Sequence, residues 1–255
     1  MPLQLRHEDG IAWLMLDSPP VNAVSRTLLT QLVAALSRCA EDPDVRVLVL
    51  GGEGRHFCAG ADLKEQQQAW AQRAREDAAE DVPPAQGAAD LGELLYAALL
   101  DFPKPLIGMA HGAVAGAGLS ILACCDFAVA AHGTRISLPE INVGVLGGIS
   151  HARAVLGKSL AHYLALTGLP LEAEKLRHTG HFLDVVPADA LRETVRAMAQ
   201  AIAAKHPEAA RYTKRCMRAV EGVGQLEGYA REHALSEELR ASGVTDELVA
   251  RFLQR

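Results

Sequence analysis

Aromatic side chains are scarce in this chain: Phe, Tyr and Trp together make up 4% of 255 residues. The core must therefore be built from aliphatic side chains, chiefly Ala and Leu, and those residues favour helices. Basic residues are outnumbered, 25 Lys and Arg against 31 Asp and Glu, for a formal charge of −6. Without an overall basic field the chain is poorly suited to nucleic acid, although a local basic patch for a small anion is still allowed. Cysteine is sparse as well, at five residues, Cys39, Cys58, Cys124, Cys125 and Cys216, with no CxxC spacing. An odd count without paired spacing argues against a disulfide framework and against a structural metal, and for free thiols in a reducing compartment. No apolar run reaches bilayer-spanning length, so no membrane association is expected. The opening MPLQLRHEDG has neither a signal peptide's apolar stretch nor a transit peptide's Arg and Ser bias. The expectation is a cytoplasmic protein, or a processed organelle form.

Apolar residues make up 49% of the chain, enough for a sizeable core. Leu3 and Leu5 alternate, Asp9-Gly10 supplies a turn, and Ile11–Leu16 reads as the return strand of a hairpin. After the Pro-rich loop SPPVNAVS, Ser25 is a suitable N-cap for a helix carrying Leu28, Leu32, Leu36 and Cys39 at helical spacing. Val45–Leu50 is a continuous apolar run typical of a buried parallel strand. Residues 64–82 are polar and helical in composition until Pro83-Pro84, and read as a mobile flap. Leu91–Leu100 reads as a helix, Leu106–Ala110 and Phe127–Ala131 as short buried strands. From about residue 148 the signal is almost wholly helical, with breaks at Gly157, Gly168, Pro187 and Pro207. The fold class is α/β, with a helical C-terminal region.

In two places a buried strand leads through a Gly-rich turn into a helical stretch. The first is HFCAGADL at 56–63, the second GAVAGAG at 112–118. Small residues let a ligand approach the main chain, and amides at such turns attract an anion or a developing oxyanion. A pair of them makes an oxyanion hole without a special side chain. Either turn alone is more economically a tight helix–strand connection.

Taken together and in order, FCAGADL, HGAVAGAGLSILACCDFAVAA and LPEINVG resemble the enoyl-CoA hydratase/isomerase (crotonase) family. The resemblance runs from PVNAVS to the C-terminal helices, with residues 103–148 its specific part. It implies a crotonase-like ββα spiral core over 1–190, binding and processing acyl-CoA, and a helical trimerisation region over 191–255. It implies that the amides of Ala61 and Ala117 form the oxyanion hole. Coenzyme A contacts would fall on Val21, Ala23, Ala59, Asp62 and Leu63, with Arg26 and Lys64 as phosphate partners. Coenzyme A is then part of the substrate; no separate cofactor and no metal are expected. A homotrimer or dimer of trimers is implied, with Leu226, Tyr229, Leu235 and Leu239 as an apolar row.

The family's hydratases use two glutamates. The second matches Glu140, but the first falls on Ser120, a hydroxyl that cannot act as a carboxylate base. Glu140 is thus the expected proton carrier, tuned by a partly dry pocket, with Ser120 holding water or a substrate hydroxyl. At Gly147-Gly148-Ile149-Ser150-His151 the sequence departs again; Gly148 and His151 are candidate accessory residues, although His151 is as readily a surface or capping histidine. The expected activity is of the enoyl-CoA hydratase type, with isomerisation, hydrolysis or decarboxylation of an acyl-CoA, or acyl-CoA binding alone, as alternatives. A dinucleotide site is disfavoured because GAVAGAG lacks the GxGxxG spacing, and a serine hydrolase because Gly118-Leu119-Ser120-Ile121-Leu122 lacks the closing glycine of a nucleophile elbow.

Overall fold

A computed structural model describes residues 2–79 and 91–254. The opening hairpin pairs β1 (Leu3–Glu8) with β2 (Ile11–Leu16) across Asp9 and Gly10, both at positive φ as a tight hairpin turn requires. β2 then lies parallel to β3 (Val47–Gly52), β3 to β4 (Leu106–Ala110), and β4 to β6 (Phe127–Ala131). β9 (Phe182–Val186) closes the six-stranded sheet, parallel to β6. The expectation of an almost wholly helical chain beyond residue 148 fails at β9. Phe182 and Val185 are buried against the sheet, a long-range contact that outweighs the helical composition around them.

β2 and β3 are buried at every position because both sheet faces are covered. Strand side chains alternate, so Ala12, Leu14, Leu16, Leu48 and Leu50 enter one core and Ile11, Trp13, Met15, Val47 and Val49 the other. The first core is covered by α1 (Arg26–Glu41), α3 (Leu91–Leu100), α5 (Ile149–Leu156) and α6 (Lys158–Thr167). Ser25 caps α1, its Oγ accepting the Leu28 amide at 3.2 Å, and Leu28, Leu32, Leu36 and Cys39 all point inward. The second core is covered by α7 (Leu191–Ala203) through Leu191, Val195 and Ala199. Each fully buried Leu or Ile contributes about 1.5–3 kcal/mol, and there are enough on both faces to hold the sheet between its helices.

α2 (Leu63–Ala79) covers most of the polar stretch; the Pro83-Pro84 break lies outside the described residues. α8 (Pro207–Val220), α9 (Gln225–Ala241) and α10 (Val244–Leu253) complete the C-terminal region, with Pro207 at the first turn of α8, where a missing N–H costs nothing. Lys214 ties α8 to the sheet, its Nζ donating to Lys104 O at 2.8 Å and to Asp126 Oδ2 at 3.2 Å. The apolar row on α9 divides between two faces: Leu235 is buried, whereas Leu226 and Tyr229 are exposed.

A second, three-stranded sheet was not apparent in the sequence: β5 (Ala113–Ala115), β7 (Arg135–Ser137) and β8 (Leu171–Glu172). Strands of two or three residues, one of them reading AVA, carry too little periodicity to be recognised. This small sheet positions the site.

Candidate active site

The two Gly-rich turns are joined through β5. The Cys58 amide donates to Ala113 O at 3.1 Å and the Ala115 amide to Cys58 O at 2.9 Å, so residue 58 bridges Val114 as an added strand would. On its other side the first turn is joined to the chain entering α1. Val24 N donates to Gly60 O at 2.8 Å, Asp62 N to Val24 O at 3.1 Å, and Ala59 N to Val21 O at 3.0 Å. In that parallel pattern alternate amides point away, and the Ala61 amide is one of them. Ala117 opens α4 (Ala117–Ala123), so its amide has no intrahelical acceptor. Among the described residues neither the Ala61 nor the Ala117 amide donates to a protein acceptor.

Close approach of the two turns depends on glycine. A Cβ on Gly118 would lie 2.6 Å from Cys58 O, and one on Gly60 3.3 Å from Ala115 O. Asn22, which the sequence reading passed over, holds the first turn from behind. It is 3% exposed, and its Nδ2 is shared between Glu53 O at 2.9 Å, His56 O at 2.8 Å and Phe57 O at 3.2 Å. Its Oδ1 accepts the Ser18 amide at 2.8 Å. The signal was present in the motif PVNAVS, where an amide side chain stands in an otherwise apolar loop.

Glu140 sits in a 3-10 turn, Pro139–Val143, that follows β7. Its carboxylate lies against Gly116, the residue before Ala117, in space that any side chain there would occupy. Oε2 is buried and has no partner among the described residues, and desolvation raises the carboxyl above its ordinary value. Ser120 is 1% exposed; its Oγ reaches Gly116 O at 3.5 Å, which is the outer limit of a hydrogen bond. Gly148, at φ +69°, stands beside it: a Cβ there would be 3.0 Å from Ser120 Oγ and 2.7 Å from Leu138 Cδ2. His151 follows on α5, half-buried, with its imidazole held below the usual value by desolvation.

Tyr96, on α3, also belongs to this group, and the sequence reading did not single it out. Ser120 is a polar neighbour of its phenol, and its ring meets that of His151 at 4.6 Å between centroids. Burial pushes the phenol up to about 12, with the nearby Glu140 charge adding to the effect. The available signal was a polar-tipped aromatic in the apolar run LGELLYAALL. Two thiols flank the cluster, but burial raises Cys58 to about 11 and Cys124 to about 12, so neither supplies a thiolate near neutral pH.

The residues expected to meet coenzyme A line one seam, since the bonds between 21–24 and 59–62 draw both segments together. Val21, Ala23 and Ala59 are half-buried along it, and Leu63 and Lys64 are exposed at its end. Asp62 has a local duty as well: its Oδ1 accepts the amides of Lys64 and Glu65, both at 3.1 Å, and so caps α2. Arg26 offers an exposed side chain, while its amide is taken by Glu65 Oε2 at 2.9 Å. Among the described residues, no cluster of His, Cys, Asp and Glu has the makings of a metal site, and no helix is long and apolar enough to cross a membrane.

Comparison with known proteins matches residues 6–253 to the model of the enoyl-CoA hydratase/isomerase family. A 2,3-dehydroadipyl-CoA hydratase of Escherichia coli is 33% identical over 257 residues, spanning 99% of this chain and 96% of its own. A (7aS)-7a-methyl-1,5-dioxo-2,3,5,6,7,7a-hexahydro-1H-indene-carboxyl-CoA hydrolase of Rhodococcus jostii is 30% identical over 246 residues, 96% of this chain and 92% of its own. Among solved structures, an enoyl-CoA hydratase from Geobacillus kaustophilus superposes with a TM-score of 0.88 at 27% identity, covering 100% of this chain and 95% of that one.

Proposed function

Because the chain belongs to the enoyl-CoA hydratase/isomerase family, whose members act on CoA thioesters, we propose that it is a hydratase-type enzyme in which Ala61 and Ala117 hold the thioester oxygen and Glu140 moves the proton. The observation that carries this reading is a carboxylate packed on Gly116 through Oε1, with Oε2 buried and unpartnered among the described residues, next to an amide likewise unpartnered. An amide pair of this kind stabilises negative charge as the thioester becomes an enolate, which is where the barrier is lowered most. Glu140 is raised by desolvation, so it takes up a proton more readily than an exposed glutamate and its protonated form is better populated for the return step. In the hydratase direction water adds across the double bond, oxygen to the β-carbon, and Glu140 handles the proton. Ser120, being neutral, holds the water rather than ionising it. The seam from Val21 to Lys64 receives coenzyme A, mainly by backbone and apolar contact, with Arg26 and Lys64 toward its phosphates. That division of labour suits a chain of net charge −6. No cofactor beyond the substrate's own coenzyme A is called for.

A second reading, hydrolysis of an acyl-CoA, is favoured by the serine at position 120 together with the hydrolase among the relatives. Incubation with trans-2-enoyl-CoA and trans-3-enoyl-CoA in ¹⁸O water separates the two. The hydratase yields a 3-hydroxyacyl-CoA with one labelled oxygen and intact thioester; a hydrolase releases free CoA and a carboxylic acid that carries the label. Double-bond migration without label would overturn both. Exposed Leu226, Tyr229, Phe252 and Leu253 on the C-terminal helices fit assembly into a homotrimer or a dimer of trimers.

A further inference from the structure

Three uncharged polar side chains gather beside Glu140 without a part in the proton transfer. Ser120 Oγ has only a 3.5 Å contact with Gly116 O and the neighbouring phenol of Tyr96. The Tyr96 ring is backed by His151 at 4.6 Å and tilted 43° to it, which fixes where the phenol points. His151 Nδ1 reaches Ser150 Oγ at 3.5 Å, again at the limit of a bond. Gly148 leaves room beside Ser120, since any side chain there would press on its hydroxyl. Burial keeps the phenol and the imidazole neutral at physiological pH.

This arrangement has more hydrogen-bonding capacity than its internal contacts use. Ser offers one donor and two acceptor sites, Tyr one donor and an acceptor oxygen, and neutral His one of each. A purely hydrocarbon acyl chain laid against it would strip water from these groups and return nothing. An oxygen on the acyl group can take the phenolic hydrogen bond, with the Ser120 hydroxyl as the polar neighbour of that phenol. Carboxylate-tailed chains fit less well, because none of the three groups is charged and the Glu140 carboxylate is close by.

We propose that Tyr96, supported by Ser120 and His151, is a specificity-determining residue that hydrogen-bonds an uncharged keto or hydroxyl oxygen on the acyl group, so that the preferred substrates are oxygenated acyl-CoA thioesters. This rests on the reading of Ala61, Ala117 and Glu140 as the thioester site. Binding of saturated thioesters tests it independently of turnover, because none of them has a double bond to hydrate. The probes are hexanoyl-CoA, its 4-oxo and 5-oxo counterparts, and adipyl-CoA, measured by calorimetry on the whole protein. At least one oxo thioester should bind about tenfold or more tightly than hexanoyl-CoA and than adipyl-CoA. Tyr96→Phe should lower that oxo-to-hexanoyl ratio by about tenfold, or about 1.4 kcal/mol. Ser120→Ala should lower it by a smaller factor, and decides the matter if Tyr96→Phe does not fold. Equal binding of all four by the wild type, tightest binding of adipyl-CoA, or a ratio unmoved by the folded variants overturns the inference while leaving the thioester site standing. Failure of every thioester to bind overturns both.

Discussion

The Glu140 carboxylate occupies the space that a side chain at position 116 would need: a Cβ built on Gly116 collides with Glu140 Oε1. Residues far apart in sequence are thus fitted to one another at the atom that is proposed to move the proton. Gly116 also adopts φ +52°, a region that L side chains rarely enter.

Gly116→Ala should therefore injure activity more than stability. The backbone strain costs about 1–3 kcal/mol, visible as a lower Tm. Displacing Glu140 by even an ångström should lower kcat by about 10²-fold. Steady-state kinetics well below the new Tm separate the effects; kcat within threefold of wild type would mean that Glu140 does not need this seat.

Glu140→Gln should lower kcat by about 10²-fold or more, with little change in coenzyme A affinity. It should also reveal a pH-dependent stability difference. Desolvation raises the folded-state carboxyl above its ordinary value of 4.5. A raised group favours the folded state while protonated; that contribution is whole below about pH 4.5 and is lost as pH rises through the folded value. The Gln variant should consequently melt higher than wild type at neutral pH, and the gap should close toward pH 4. Thermal melts across pH 4–8 check this, and a gap that widens in acid would contradict the assignment.

Ala61→Pro removes one proposed oxyanion donor and should cost about 10²–10³-fold in kcat. Ala117→Gly keeps its amide and should retain substantial activity. The proline variant needs a melting curve to show that it is folded. Near wild-type turnover of a thioester by folded Ala61→Pro would remove this loop from the oxyanion hole.

Asn22→Ala should destabilise the fold by about 2–4 kcal/mol, because it strands buried carbonyls of Glu53, His56 and Phe57. It should also lower kcat below the unfolding transition, since those carbonyls shape the turn leading to Ala61. Urea titration gives the first quantity and kinetics in dilute urea the second. Asn22→Asp should be no milder, because a carboxylate would face the same carbonyl oxygens.

Local pattern determined a good deal by itself. The alternation of Leu3 and Leu5 in β1, the continuous apolar run of β3, the helical spacing of Leu28 to Cys39, and the cap at Ser25 are properties of neighbours in sequence, and the chain realises them. The Val45–Leu50 run is shifted by two, to β3 at Val47–Gly52, because the strand starts where pairing with β2 begins rather than where apolar residues begin. The small residues of both turns and the glutamate at 140 were also legible, as a resemblance to one family. Tertiary structure alone decided how these pieces meet. β9 joined the sheet through contacts with β6, from Ala128 opposite Phe182 to Ala131 opposite Val186, and β5 joined the turns through Cys58 and Val114. The seating of Glu140 on Gly116, the ring contact of Tyr96 with His151, and the clasp of Asn22 all link residues with no periodic relation. Periodicity records which face of an element is buried; it holds no record of which distant side chain arrives at that face, and the proposed chemistry depends on that arrival.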